Sequence, residues 1–439
     1  MVESSTERRL PLQGVRILAQ AIVWAGPFGS MILADLGADI IEVESIQHLN
    51  PTRANMRHIP PSMLDGPTGA LYANRDTSEG FWNRQSFFNY TKRGHRSVTI
   101  DLRRDEGREL FYALVREADV FMENNAANVV GHLQIDYPQL SAINPRLIMM
   151  RFPGFGIDGP YLHYKGYGAT MEAVVGHSML RGYRDADPSM TPSIYHGDPN
   201  AGAHAAFAIQ AALYARERTG EGQLIDMSQA EAVMHHIAYD VMDYMMNQRS
   251  NAHWGNRHPS MAPYGVFPCA GEDYWLALAV DSDEAFAALC REMGQPGLAS
   301  DERFADVVSR YEHQDELEPT IAAWTREHSQ RELMDRLQAV GVAAAMVYNQ
   351  REMHADPHLN ERGFFIEVDH PDVGVKRYPG PMARFEVTPL VPPRGPAPRL
   401  GQHNQEVFQG LLGLDAEQYE HLREMQIIGD AYLENARST

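Results

Sequence analysis

Cysteine is scarce in this chain: only Cys269 and Cys290 occur among 439 residues. Two thiols cannot build a disulfide framework, and such sparing use suits a reducing compartment. Positive charge is also in short supply, with 38 Lys and Arg against 58 Asp and Glu and a formal net charge of -20. A field of that sign opposes a phosphate backbone, so nucleic acid is not an expected partner. Long apolar runs are missing, and Met1 to Arg9 is polar and charged, without the apolar centre of a signal peptide. A cytoplasmic protein with no membrane partner is therefore expected. His235-His236, His253 and His258 lack a zinc spacing such as His-Glu-x-x-His; they are read as surface or structural, and no metal is expected. The Gly-x-Gly-x-x-Gly fingerprint is also absent after the first strand, which disfavours a dinucleotide site.

What is present is ordinary soluble composition, 44% hydrophobic and 22% charged, in a chain long enough for two domains. Val15 to Leu18 reads as a buried strand, followed after Ala25-Gly26-Pro27 by a helix ending near Gly37 and by a strand at Ile40 to Val43. The alternation resumes with a strand at Val98 to Leu102, a helix at Asp105 to Glu117, and strands at Val120 to Met122 and Leu147 to Phe152. That order predicts an α/β fold with a parallel sheet. Ligands of such sheets lie at the carboxyl ends of strands, which gathers the loops after Leu18, Met122 and Phe152 around one site. Ser45 to Gly94 reads as irregular and rich in Pro and aromatics, including Phe81, Trp82, Phe87 and Phe88. A second, smaller α/β domain is predicted over 262–335, after a helix and linker at 229–261. The tail carries turn signals at Pro379-Gly380-Pro381, Pro389 and Pro392-Pro393 before a final helix at Glu406 to Leu412. The Met and Tyr cluster from Tyr239 to Met246 reads as buried packing.

The stretch around which the rest is organised is Tyr195-His196-Gly197-Asp198-Pro199-Asn200, feeding an apolar helix from Ala205 to Tyr214. Asp198 admits two readings. One is helix capping, worth about 1 kcal/mol. The other is a nucleophile, since an ionised carboxylate on a tight turn with backbone donors nearby can attack an activated acyl group.

Several segments, taken in order, decide between them: Leu33-Ala34-Asp35-Leu36-Gly37-Ala38-Asp39, Ser97-Val98-Thr99-Ile100-Asp101-Leu102, Ile143-Asn144-Pro145-Arg146-Leu147, Thr219-Gly220-Glu221-Gly222, Ala355-Asp356-Pro357-His358 and Leu400-Gly401-Gln402-His403-Asn404. This ordered set resembles the class III CoA-transferases, a family that includes formyl-CoA and carnitine CoA-transferases and related acyl-CoA racemases. The resemblance implies a Rossmann-like large domain built from N- and C-terminal segments (1–228 and 336–439), a small domain between them, and an interlocked homodimer. It implies coenzyme A, carried as an acyl-CoA donor, with a free carboxylic acid as acceptor, and it makes Asp198 the catalytic nucleophile. Val23, Trp24 and Ala25 match positions along the CoA arm, Asn124 a CoA-contacting Asn, and Lys165 a basic residue near the acyl group. The family's phosphate-binding arginines fall on Ser45 and His132, so His132, Arg53 and Arg96 are counted among the CoA contacts here, with Arg93 a further source of charge. Trp24 replaces a Gln and Gly168 a Glu of the formyl-CoA enzymes, which turns the expected substrate away from oxalate. The alternatives are an acyl-CoA racemase, for which Tyr167 and Gly168 stand where a His-Asp step is needed, and a CoA-binding subunit of an unequal pair. Glu172 is kept as a residue behind the site, and Asp226 as a salt-bridge or capping residue.

Overall fold

The computed structural model describes residues 10–183, 185–190, 195–250, 255–388 and 395–438. Pro389 and Pro392-Pro393, like Met1 to Arg9 and His253, lie outside the described residues. The first strand forms because Ile17, Leu18 and Ala19 are covered on both faces, each wholly buried. It is β1 (Arg16–Gln20), and it is joined by β2 (Asp39–Glu44), β3 (Arg96–Thr99), β4 (Val120–Glu123), β5 (Ile148–Arg151) and β6 (Gln223–Asp226). Every neighbouring pair is parallel, and the order across the sheet is β3-β2-β1-β4-β5-β6. The chain thus winds outward from β1 in one direction and then, from β4, in the other. A crevice opens between β1 and β4 at the carboxyl edge, where the strand order reverses.

Helices α1 (Ala25–Asp35) and α4 (Gly197–Thr219) share one face of the sheet, burying Ala25, Leu33, Ala201, Ala205 and Ile209 against Ile17, Ala19, Met122 and Met150. The opposite face is covered by α2 (Asp105–Arg116) through Phe111, Leu114 and Val115, together with Val407, Phe408, Ile427 and Ile428 of the C-terminal segment. That segment is stitched to β3: the Thr99 N–H donates to Asn404 Oδ1 at 2.9 Å, and the Thr99 hydroxyl donates to the Gly429 carbonyl at 2.6 Å. Two short helices complete the surroundings of the site, α3 (Gly168–Val174) and α5 (Gln229–Met234).

The chain divides into two units, one drawing on residues within Met1–His177, Ser193–Met242 and Arg362–Thr439, the other on residues within Ser178–Pro192 and Asp243–Glu361. The second unit holds an antiparallel sheet of β7 (Tyr264–Pro268), β8 (Trp275–Ala279) and β9 (Ala343–Met346), with β8 in the centre. Its core joins Leu276 and Leu278 to Phe286 and Leu289 of α6 (Asp283–Glu292), Ile321 of α7 (Gln314–Thr325) and Leu333 and Leu337 of α8 (Gln330–Ala339). Cys269 and Cys290 are buried in this core with free thiols that burial pushes up to about 11, so they are inert packing residues.

Three local expectations are corrected. Ser45 to Gly94 is broken into short helical turns, among them Phe81–Asn83 and Ser86–Thr91. The helix expected at the start of 229–261 is split into Gln229–Met234, capped by the Ser228 hydroxyl, and Ala238–Asn247. The cluster from Tyr239 to Met246 is not buried: Tyr239, Met242, Tyr244, Met245 and Met246 are all exposed, because no element of the described chain covers that face.

Candidate active site

The carboxyl ends of β1 and β4 are bound together across the crevice by one side chain. Asn124, the residue after β4, accepts the Ile22 N–H through Oδ1 at 2.9 Å and donates Nδ2 to the Ile22 carbonyl at 2.9 Å. Asn125 Nδ2 reaches Gln20 Oε1 at 3.3 Å, and Glu123 at the strand end is tied to Arg151 at 2.8 Å. The loop between β1 and α1 is therefore rigidly placed. Its next residue, Val23, has φ +60°, a left-handed conformation that a β-branched residue adopts only under constraint. The Val23 carbonyl accepts the Thr52 hydroxyl at 3.3 Å. Trp24 follows at the N-cap of α1, its ring edge-on to Phe87 at 5.5 Å, and its buried Nε1 finds no hydrogen-bond partner among the described residues.

The stretch around Asp198 meets this loop through two glycines. A Cβ on Gly202 would lie 2.5 Å from the Ala25 carbonyl, and one on Gly29 would lie 2.8 Å from the Gly202 carbonyl. Only glycine permits that approach, so the starts of α1 and α4 lie backbone to backbone. Gly202 is one helical turn beyond Asp198, so Asp198 lies at the end of α4 that packs against the start of α1. Helix α4 begins earlier than the sequence suggested, so Asp198 is inside its first turn rather than in the loop before it.

The electrostatics of Asp198 are unusual for a surface-facing helix start. Its carboxyl is half-buried and is pushed up to about 6, first by burial and then by the negative charge of Glu172. Among the described residues no Lys or Arg forms an ion pair with it. Glu172, on α3, is wholly buried. Its Oε1 accepts the N–H groups of His196 at 2.6 Å and Gly197 at 2.9 Å, while Oε2 meets His177 Nδ1 at 2.9 Å. Of the donors expected to surround Asp198, two are thus already occupied; Pro199 has none, and the Asn200 N–H bonds to the His196 carbonyl. Asn200 closes the back of the turn, donating Nδ2 to the Ala232 carbonyl at 2.9 Å, so its Oδ1 accepts from His236 Nε2 at 2.6 Å.

The remaining sequence candidates separate. Lys165 and His132 are exposed and accessible to a ligand. Arg53 is wholly buried and committed: Nε and Nη2 hold Glu44 at 2.7 and 2.8 Å, Nη1 holds Asn83 at 2.8 Å, and the guanidinium lies 3.7 Å over the Phe88 ring. Arg93 is likewise turned inward, to Asp35 at 2.6 Å. Arg96 opens β3 at the amino edge of the sheet and spans Asp39 and Glu406. It lines a cavity of about 640 Å³ with Arg16, Asp39 and His403, at the opposite edge from Asp198. Neither Arg53 nor Arg96 presents a free charge to the crevice; the sequence showed their basicity but not which way they point. Asp226 accepts the Ile157 N–H at 3.2 Å, holding the loop after β5. Glu172, Gly29 and Gly202 carry more of the geometry than the sequence assigned them. Their partners lie far along the chain, so no local pattern marks them. Among the described residues no three His, Cys, Asp or Glu side chains converge as a metal site.

Comparison with known proteins bears on the family. The model of CoA-transferase family III matches residues 12–404. The chain is 34% identical to a succinyl-CoA–D-citramalate CoA-transferase of Chloroflexus aurantiacus, over 97% of its own length and 100% of that protein. It is 34% identical to a succinate–glutarate CoA-transferase of Agrobacterium fabrum, over 92% of this chain and 96% of that one. Among solved structures, a CAIB/BAIF family protein from Brucella suis superimposes with a TM-score of 0.79 at 31% identity, covering 92% of this chain and 100% of the other. With a matching model over most of its length, and enzymes of that activity as full-length relatives, the chain belongs to CoA-transferase family III.

Proposed function

We propose that this enzyme moves coenzyme A from a dicarboxylic acyl-CoA, succinyl-CoA first among the donors to test, to a second dicarboxylic acid, with Asp198 as the nucleophile. The observation that carries the reading is the state of Asp198: a half-buried carboxylate with an anion rather than a cation beside it, on a turn clamped to the loop after β1. An ion pair would hold the carboxylate in its ground state; lacking one, its electron pair is available. The two relatives above are named for succinyl or glutaryl chemistry and for citramalate, all dicarboxylic acids.

The reaction then runs in four displacements. An Asp198 oxygen attacks the thioester carbonyl, the C–S bond breaks, and CoA leaves as thiolate from a mixed anhydride. The thiolate attacks the Asp198 acyl carbon and releases the donor acid, leaving an aspartyl-CoA thioester. The acceptor carboxylate attacks that thioester and expels the thiolate, forming a second anhydride. Thiolate attack on the acceptor's acyl carbon gives the new acyl-CoA and regenerates Asp198. No proton is consumed, and the thioester's free energy is kept. In this reading the pantetheine arm runs along Val23, Trp24 and Ala25, Asn124 holds that loop in place, and Lys165 and His132 are the accessible basic residues for CoA. Two copies form an interlocked homodimer, for which the exposed Tyr239, Met242, Tyr244, Met245 and Met246 provide an apolar surface.

The test is chemical trapping. The enzyme is incubated with succinyl-CoA, treated with hydroxylamine or borohydride, and its peptides are weighed. Label on the peptide carrying Asp198, absent in Asp198→Asn, supports the mechanism. Transfer of CoA to glutarate or citramalate without any label on that peptide overturns it.

A further inference from the structure

Helix α4 has no capping side chain of its own. His196 stands at its N-cap with φ −93° and ψ −13°, and makes no side-chain capping bond. Ordinarily such a helix start is satisfied by its own Ser, Thr, Asp or Asn. Here the cap comes from another helix: the Glu172 carboxylate accepts the two N–H groups immediately before Asp198 and sits at the positive end of the α4 dipole. Gly197 packs closely here: a Cβ would stand 3.0 Å from Val233 Cγ2, while its 3.6 Å from Glu172 Oε1 would be ordinary contact. The other carboxylate oxygen is held by His177 Nδ1, so the group cannot rotate away.

Taking Asp198 as the nucleophile, we propose that Glu172 is its positioning residue, fixing the backbone of His196 and Gly197 from α3 and setting a buried negative charge beside the attacking carboxylate. The charge has a use in the reaction. Two carboxylates close together repel, and the repulsion disappears once Asp198 is acylated and neutral. The free enzyme bears this like-charge contact, and the anhydride and the aspartyl-CoA thioester do not. A more basic carboxylate is also the better nucleophile. Among the described residues, the titratable groups around the turn include the His196 ring, which meets His177, and the rings of His204, His235 and His236, which face Asn200 and one another.

Two variants separate the mechanical role from the electrostatic one. Glu172→Gln keeps an oxygen for the two N–H groups and loses the charge; Glu172→Ala loses both. Titration of Asp198 in the full-length protein is followed by infrared difference spectroscopy against Asp198→Asn with ¹³C-labelled aspartate, which requires no turnover. In parallel, kcat and KM are measured with succinyl-CoA. In Glu172→Gln the Asp198 midpoint is expected to fall by about one pH unit and kcat by about tenfold, with KM within about twofold. Glu172→Ala is expected to lose about 100-fold in kcat through misplacement of the turn. If Glu172→Gln keeps both the wild-type midpoint and the wild-type kcat, the inference is wrong and Glu172 is packing alone. A midpoint that shifts in a protein whose wild type transfers no CoA would sink the transferase reading of Asp198 while upholding the coupling of the two carboxyls.

Discussion

In the large unit the carboxylates on and behind β2 and the carboxyl of Asp198 are treated in opposite ways. Behind β2, each has a cation: Glu44 holds Arg53, Glu42 holds Lys92 at 2.7 Å, and Asp35 holds Arg93 at 2.6 Å. Even so, burial pushes the Glu42 carboxyl up to about 7 and the Lys92 ammonium down, while the Arg53 guanidinium and the Ser97 hydroxyl outweigh burial at Glu44 and keep it below the usual range. At the start of α4, no Lys or Arg among the described residues pairs with Asp198, and the neighbouring Glu172 accepts two backbone N–H groups and meets a histidine. In the proposed mechanism the carboxyl without a cation is the one that reacts. Lys92 links the two regions, since its Nζ also reaches the Ala21 carbonyl of the β1–α1 loop at 3.4 Å.

The comparison breaks most visibly at Asp198 itself. Asp198→Asn should lower kcat by at least about 1,000-fold in a CoA-transfer assay, with the fold intact by circular dichroism. The next largest effect belongs to the compensated side: Arg53→Ala strands Glu44 in the interior and should cost about 3–5 kcal/mol in urea unfolding. Activity per folded molecule should change far less than stability, whereas a CoA-binding role for Arg53 would raise KM for acyl-CoA in correctly folded protein. Gly202→Ala forces α4 away from the Ala25 carbonyl and is expected to cost about 1–3 kcal/mol, with a fall in kcat that tracks the displaced turn.

The pH dependence sharpens the contrast further. Because Asp198 is raised to about 6 in the folded chain, kcat/KM should fall about tenfold per pH unit below that value as the nucleophile is protonated. The stability linkage has the matching sign. The protonated form is favoured in the fold, so that contribution is complete below about 3.8 and lost as pH rises through about 6. Asp198→Asn should therefore melt above the wild type at pH 8 and together with it at pH 4, as scanning calorimetry would show. The smallest effect is expected from Arg96→Ala, far from the crevice: less than about 1 kcal/mol in stability and no more than about a twofold change in KM.

Periodicity was enough to find β1, α1, β2, α2, β4 and β5, because their apolar runs are continuous where both faces are covered and amphipathic where one is. Gly197-Asp198-Pro199 was legible as a turn ahead of an Ala-rich helix, but its spacing left capping and nucleophile both open, and the family resemblance alone chose between them. Arg53 and Arg96 were not. A basic residue in a loop looks the same whether it faces a phosphate or a buried glutamate, and only the partner on β2 decides. The cluster at Tyr239 to Met246 misled in the other direction, because apolar composition says that a partner is wanted, not that the same chain supplies it.

By itself, then, the sequence determined the elements of the sheet, the family resemblance and the identity of Asp198 as the residue to question, all of them carried by neighbours within a few positions. The tertiary structure decided the rest. It set the strand order that opens a crevice between β1 and β4, the close approach of Gly29 and Gly202, and the pairing of Glu172 with the backbone before Asp198. Each of these joins residues far apart in the chain, and the fate of a buried charge depends on which groups the fold brings beside it, a fact that no local pattern records.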